Sequence, residues 1–239
     1  MNQSTAILEG LEGLAPIRRE TSQDRVYSQL RTALIRGAFD AGALFIVGDV
    51  AKRMSVSSMP VREALARLVS ERALEAMENR RVRVPLLSRD NARGINHART
   101  LIEGELAVQA LPHLTASDLA RLNETIEEYE TAQDAGAVAC ANQAFHFCIY
   151  QRAANAVLLP FVESLWMQAG PYIRAAARLH QPGMPSSGAE HHRGILQAIR
   201  AGDADTLKTE LTADISRVFA ILENAGNAFW HDTGDNANG

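Results

Sequence analysis

The chain has 239 residues, 46% apolar and 22% charged, enough to bury a core in one large domain or two ordinary ones. A net charge of −4 excludes a protein that coats nucleic acid with its whole surface, and two cysteines exclude a disulfide scaffold and suit a reducing compartment. No apolar run approaches the ~18 residues of a membrane span, and the first twenty residues lack the cationic and apolar regions of a signal peptide. A cytoplasmic protein with no membrane partner is expected.

The charge is unevenly placed. Residues 1–93 carry 15 Lys and Arg against 11 Asp and Glu, and residues 94–239 carry 9 against 17. That split predicts a basic module joined to an acidic one.

In chain order, residues 1–20 read as a flexible arm. Thr21 and Asp24 stand at capping-box spacing, and Val26, Leu30, Ala33 and Leu34 share one helical face up to a stop at Gly37. Gly42 marks a turn before the short apolar strand "ALFIV". A short helix over 49–54 carries Lys52 and Arg53, and a turn at Ser55–Ser57 follows. The next helix covers 59–72, capped by Ser57 or Ser58, with Pro60 in its first turn and Val61, Leu65, Leu68 and Val69 as its inner stripe. Val82, Val84 and Leu86 alternate with Arg81, Arg83 and Pro85, which predicts a hairpin with Asn79–Arg80 near its tip. Helix, helix, turn, helix and hairpin make a winged helix-turn-helix over residues 21–88.

Six helices are predicted beyond it, over 91–112, 116–132, 135–152, 156–178, 188–201 and 204–225. Thr115 and Asp118 repeat the capping-box spacing, Asn155 caps the fourth helix, and Gly170–Pro171 should kink or break it. Gly202 ends the fifth helix and Asp203 caps the sixth. Residues 227–239 read as a flexible tail. The fold class is mainly α: a winged helix-turn-helix followed by an all-α six-helix bundle over 91–226.

A helix-turn-helix offers the N-terminal end of its second helix to base edges in the major groove. Here that end carries Ser57, Ser58, Met59 and Arg62. Lys52, Arg53 and Arg67 suit the phosphate backbone, and Arg80 and Arg81 on the hairpin suit a flanking minor groove.

The second half places polar residues on stripes that should be apolar. Asp214 follows Leu207 and Leu211, His192 is in phase with Ile195, Leu196 and Ile199, and Asn142 is in phase with Phe145 and Ile149, with His146 adjoining them. Arg99 is in phase with Ile95, Ile102 and Leu106. Buried ionisable groups are normally paired or bound to something, so five such residues on four helices predict an internal polar cavity. Its simplest use is to hold a metal, an anion, or both. The planar fork of Arg99 suits an effector carboxylate, with Glu103 one turn on to orient it, although a purely structural Arg99–Glu103 pair is the alternative.

"VSSMPVREALARLVSERAL" resembles the signature of the GntR family of bacterial transcription regulators, V-S-R-x-P-V-R-E-A-L-x-x-L. "LIRGAFDAGALF" resembles the family's upstream segment, with Ala41 in place of the usual proline. Ser58 stands where an arginine is usual, and the wing lacks the usual glycine near Asn79–Arg80. The second half resembles the FCD effector domain of the FadR-type branch, which binds a divalent metal through an Asp-x-x-x-His pair and two further histidines. The matching positions here are Asn142 and His146 in "NQAFH", His192 in "HHRGILQAIRAGD", and Asp214. The carboxylate expected first is thus an amide, and the imidazole expected last is a carboxylate. The ion implied is zinc, nickel, iron or manganese.

The resemblance implies a homodimer on a near-palindromic double-stranded DNA operator, with a small organic acid as effector. Two alternatives stand beside it. One is a metal-free regulator sensing a larger ligand such as an acyl-CoA. The other is a metalloenzyme using two histidines and a carboxylate. The chain has no cosubstrate motif or convincing general base, so no enzyme is expected.

Overall fold

In the computed structural model, which describes residues 21–78, 81–181 and 187–231, the first helix α1 spans Ser22–Ile35. The Thr21 hydroxyl accepts from the Asp24 amide at 3.1 Å while the Asp24 carboxylate accepts from the Thr21 amide at 3.1 Å, so the expected capping box is made. Two amides close the far end, Gly37 onto the Leu34 carbonyl and Ala38 onto the Ala33 carbonyl, with Gly37 at φ +63°.

Strand β1 is Leu44–Phe45, helix α2 is Val47–Met54 and helix α3 is Ser58–Ser70. Strands β2 (Glu75–Ala76) and β3 (Val82–Arg83) complete a small antiparallel sheet in the order β1-β3-β2. Leu44 faces Arg83, and Arg83 also faces Glu75, with which it forms an ion pair. Pairing stops at Arg83, so Val84 and Leu86, expected on the strand, lie past its end. Val84 is nevertheless buried and its amide donates to Ala43. The residues expected at the hairpin tip, Asn79 and Arg80, lie outside the described residues, as does the arm of residues 1–20.

Helix α3 buries Val61, Ala64, Leu65 and Leu68 at 1% exposure or less. Each large apolar side chain so buried contributes roughly 1.5–3 kcal/mol. Val69, expected on that stripe, is half-buried.

The remaining helices are α4 (Arg89–Ala110), α5 (Ala116–Thr131), α6 (Ala135–Tyr150), α7 (Leu158–Ala177), α8 (Ser187–Ala201) and α9 (Ala204–Asn224). They reproduce the six expected helices. Thr115, Asn155 and Asp203 accept from the first-turn amides as anticipated. Helix α7 departs from expectation, because it runs unbroken through Pro171. Gly170 is there for a close approach: a Cβ on it would stand 2.5 Å from the Leu34 carbonyl oxygen of α1.

That contact docks the two modules. Around it, Arg31 of α1 pairs with Glu163 at 2.5 Å, and Asp40 receives Arg174 at 2.7 Å and Arg178 at 2.6 Å. Burial pushes the Asp40 carboxyl up, but the two guanidiniums outweigh it and hold it below the usual carboxylate range.

The start of the expected tail is also packed rather than frayed. Residues 227–229 form a 3-10 turn, Trp230 is buried against Tyr172 with Arg89 over its ring at 5.0 Å, and the His231 amide donates to the Leu87 carbonyl at 2.7 Å. The chain thus returns to the junction between the modules, where an apolar partner holds it.

Gly170→Ala should force α1 and α7 apart and cost about 1–3 kcal/mol. Differential scanning calorimetry should show a melting temperature lower by roughly 2–4 °C per kcal/mol. An unchanged or higher melting temperature would contradict the close packing.

Candidate functional site

Two sets of residues carry the chemistry. On the N-terminal module, Ser57, Ser58, Met59 and Arg62 are all exposed at the start of α3. Ser57 is the N-cap residue, in extended backbone, but its hydroxyl makes no capping bond, and neither serine caps the helix through its side chain as expected. Lys52 and Arg53 are exposed in the last turn of α2, and Arg81 is exposed before β3. Arg67 differs. Its guanidinium lies 3.6 Å from the Tyr27 ring centre and pairs with Glu71 at 3.1 Å, so it belongs to the packing of α3 against α1.

The second set lies inside the helical domain. Arg99, Glu103, His146, His192 and Asp214 are each 2% exposed or less. Arg99 and Glu103, one turn apart on α4, form a bidentate pair at 2.6 and 3.2 Å. The Glu103 carboxylate also accepts from the Tyr150 hydroxyl at 2.6 Å and the Trp166 indole at 3.0 Å. Arg99 lies 4.5 Å over the Trp166 ring.

From Tyr150 the network reaches His146 one turn earlier on α6, with 3.1 Å between the hydroxyl and Nδ1. The single Tyr150 proton is given to Glu103, so its oxygen accepts from His146 Nδ1–H. That assignment follows from the hydrogen-bond network and leaves His146 Nε2 with a lone pair. Yet Nε2 stands 2.9 Å from the Asp214 carboxylate. Two lone pairs at that distance repel unless a second proton or a cation lies there.

His192 meets the same carboxylate oxygen at 3.7 Å, too far for a hydrogen bond. Its ring stacks on Phe145 at 4.1 Å and lies edge-on to Tyr129, and neither ring nitrogen has a hydrogen-bond partner among the described residues. One donor atom from each of His146, His192 and Asp214 lies within 4.8 Å of the others. Asn142, one turn before His146, has its buried side-chain oxygen unpartnered as well. Two imidazoles and a carboxylate so placed suit a divalent first-row metal, and a cation among them would relieve the repulsion and give the His192 ring a partner.

The electrostatics agree. Burial pushes the Asp214 carboxyl up, but His192, His146 and Arg217 outweigh it and hold it well below the usual range. Burial pulls His192 down, toward the neutral form that can ligate. Burial and Glu103 push the Tyr150 phenol well up, which keeps its proton in place.

Several of these groups were not singled out from sequence. Tyr150 follows His146 by four residues and Arg217 follows Asp214 by three, so helical spacing alone marks both. Arg217 approaches Asp214 at 3.4 Å and Tyr129 at 3.5 Å. Trp166 gives no signal beyond its size. Among the remaining histidines, His97 is exposed, and His191 is half-buried against Glu210 at 2.9 Å. His180 lies in the turn after α7, with its ring edge-on to Tyr129 and Nε2 buried.

Residues 22–84 match the "Bacterial regulatory proteins, gntR family" and residues 95–217 match the FCD domain. The chain belongs to the GntR family and carries an FCD domain behind its helix-turn-helix, so it is a DNA-binding transcription regulator rather than an enzyme. It is 30% identical over 201 residues to the HTH-type transcriptional regulator McbR of Escherichia coli (strain K12), covering 83% of this chain and 91% of that one. It is 27% identical over 206 residues to the probable D-xylose utilization operon transcriptional repressor of Paenarthrobacter nicotinovorans, covering 83% and 89%. The solved structure of E. coli McbR/YncC superposes with a TM-score of 0.78 at 29% identity, over 86% of this chain and 98% of that one. Among the described residues no helix is long and apolar enough to cross a membrane.

Glu103→Gln removes the buried charge that balances Arg99 and should cost about 3–5 kcal/mol in urea unfolding. A loss under about 1 kcal/mol would mean that Arg99 finds another counter-charge, and would contradict the central place given to Glu103.

Proposed function

We propose that the protein is a cytoplasmic, homodimeric regulator whose operator binding is set by a small carboxylate effector held beside a divalent metal in the helical domain. The observation that carries this reading is the contact between His146 Nε2 and Asp214, at 2.9 Å between side chains that are each 2% exposed or less. A bound cation supplies a Lewis-acidic centre for an organic acid to ligate. His146, His192 and Asp214 hold it and Asn142 adds an amide oxygen. Arg217 and Tyr150 orient two of those ligands from behind.

Arg99 has a reduced part in this scheme. Its fork is already committed to Glu103, so it positions Tyr150 and Trp166 through that carboxylate rather than gripping an effector by itself. On the DNA side, Arg62 reads a base edge. Lys52, Arg53 and Arg81 engage phosphate or groove walls, and Ser57 and Ser58 line the approach. A homodimer presents two such faces to a near-palindromic operator.

Two experiments test the two halves. Protein loaded with zinc, nickel, manganese or ferrous iron and then dialysed should retain one ion per chain by elemental analysis. His146→Ala and Asp214→Ala should lose it, and equal metal content in variant and parent would refute the ligand set. A carboxylate that alters the mobility shift of loaded protein should have no effect on stripped protein.

In the DNA half, Arg62→Ala should weaken operator binding by about 1–3 kcal/mol and relax specificity at one position, whereas Lys52→Ala should weaken all sequences alike and reduce the salt slope by about one. Fluorescence anisotropy across a salt series separates the two. Identical behaviour of both variants would remove Arg62 as a reader.

A further inference from the structure

The recognition helix departs from its family signature at Ser58, and the next residue is unusual for another reason. Met59 is 63% exposed in the first turn of α3 and takes no part in the apolar core. Ser58, Met59, Arg62, Glu63 and Ala66 are all exposed, and their offsets place them on one stripe of the helix. The opposite stripe, Val61, Ala64, Leu65 and Leu68, is buried. Met59 is therefore the only large apolar side chain on the face that enters the major groove.

The major groove presents one apolar group, the 5-methyl of thymine. A thioether is flexible and polarisable and packs well on such a small apolar target. We propose that Met59 reads a thymine in the operator by packing on its 5-methyl group, replacing with an apolar contact the polar one that the family's arginine at position 58 would make. This rests on the DNA-binding role that the family assignment establishes.

The geometry also places that thymine. Met59 and Arg62 are three residues apart, about 4.5 Å along the helix axis. One base step is about 3.4 Å. The thymine therefore lies within two base pairs of the base that Arg62 reads. Arginine's fork best matches guanine, so the half-site should couple a guanine with a nearby thymine. Ser58, small and uncharged, leaves room for the methionine beside it.

The full-length protein, used to select duplexes from a random library, should enrich a guanine with a thymine one or two positions away. The guanine preference should fade in Arg62→Ala. Replacing that thymine by uracil removes one methyl group and nothing else. The parent protein should then bind about 4-fold more weakly, the factor that one buried methyl corresponds to.

Met59→Ala should bind the thymine and uracil duplexes alike, and Met59→Leu should keep the difference. Met59 is exposed, so neither variant is expected to disturb the fold. Equal binding of both duplexes by the parent would overturn the proposal, with Met59 then resting on the sugar-phosphate backbone. A thymine–uracil difference that survives in Met59→Ala would also overturn it. Failure to select any duplex would instead count against operator reading by this module, and the Met59 contact would fall with it.

Discussion

A carboxylate accepts hydrogen bonds and donates none, and Glu103 applies that constraint at the centre of the helical domain. Donors reach it from three helices: Arg99 on α4, Tyr150 on α6 and Trp166 on α7. Tyr150 has one proton, and Glu103 takes it. The phenol oxygen can then only accept from His146 Nδ1, which turns the His146 Nε2 lone pair onto Asp214. The demand for a second proton or a cation between His146 and Asp214 is thus set by a residue that touches neither. A buried ion pair is weak evidence for stability in itself. Its consequence here is to fix where protons sit.

The same network ends on α7, and α7 holds the DNA-binding module. Trp166 points its indole into Glu103, while Glu163, Gly170 and Arg174 of the same helix, with Arg178 just past its end, meet α1 and the turn after it. Close-packed interiors pass on displacement rather than absorb it. Trp166 shares a helix with a backbone approach too tight for a single methyl group. Pro171 sits in the middle of this helix without ending it, because its neighbours bury it and α7 is anchored on both sides.

How much of this was legible in the sequence depended on how local each cause was. Capping boxes at Thr21 and Thr115, the Gly37 stop and the six helices of the second half follow from spacings within one or two turns, and the structure has them. Polar residues on apolar stripes revealed the buried polar cluster, because burial of charge is visible as a broken pattern. The pairing of Tyr150 and Trp166 with Glu103 joins residues 47 and 63 positions apart, and no periodicity records it. The same holds for Gly170, whose reason lies on α1 rather than in its own helix. Trp230 looked like part of a tail because its partner, Tyr172, is equally remote.

The two departures from the FCD ligand pattern compensate one another. The resemblance places a carboxylate on α6 and an imidazole on α9, whereas this chain has Asn142 on α6 and Asp214 on α9. One carboxylate remains, so the charge offered to a cation is unchanged. Its position is not. On α9 the carboxylate falls one turn before Arg217, which takes one oxygen at 3.4 Å and leaves the other to face His146 and His192. The transposed carboxylate therefore has one oxygen free to face the histidines, with a guanidinium on the other. An amide oxygen replaces an anionic one, and one imidazole is gone. A cation held there would meet more oxygen and less nitrogen than the usual set offers, an exchange that costs zinc and nickel more than manganese. The swap thus keeps one carboxylate in the buried cluster while exchanging a nitrogen donor for an oxygen one.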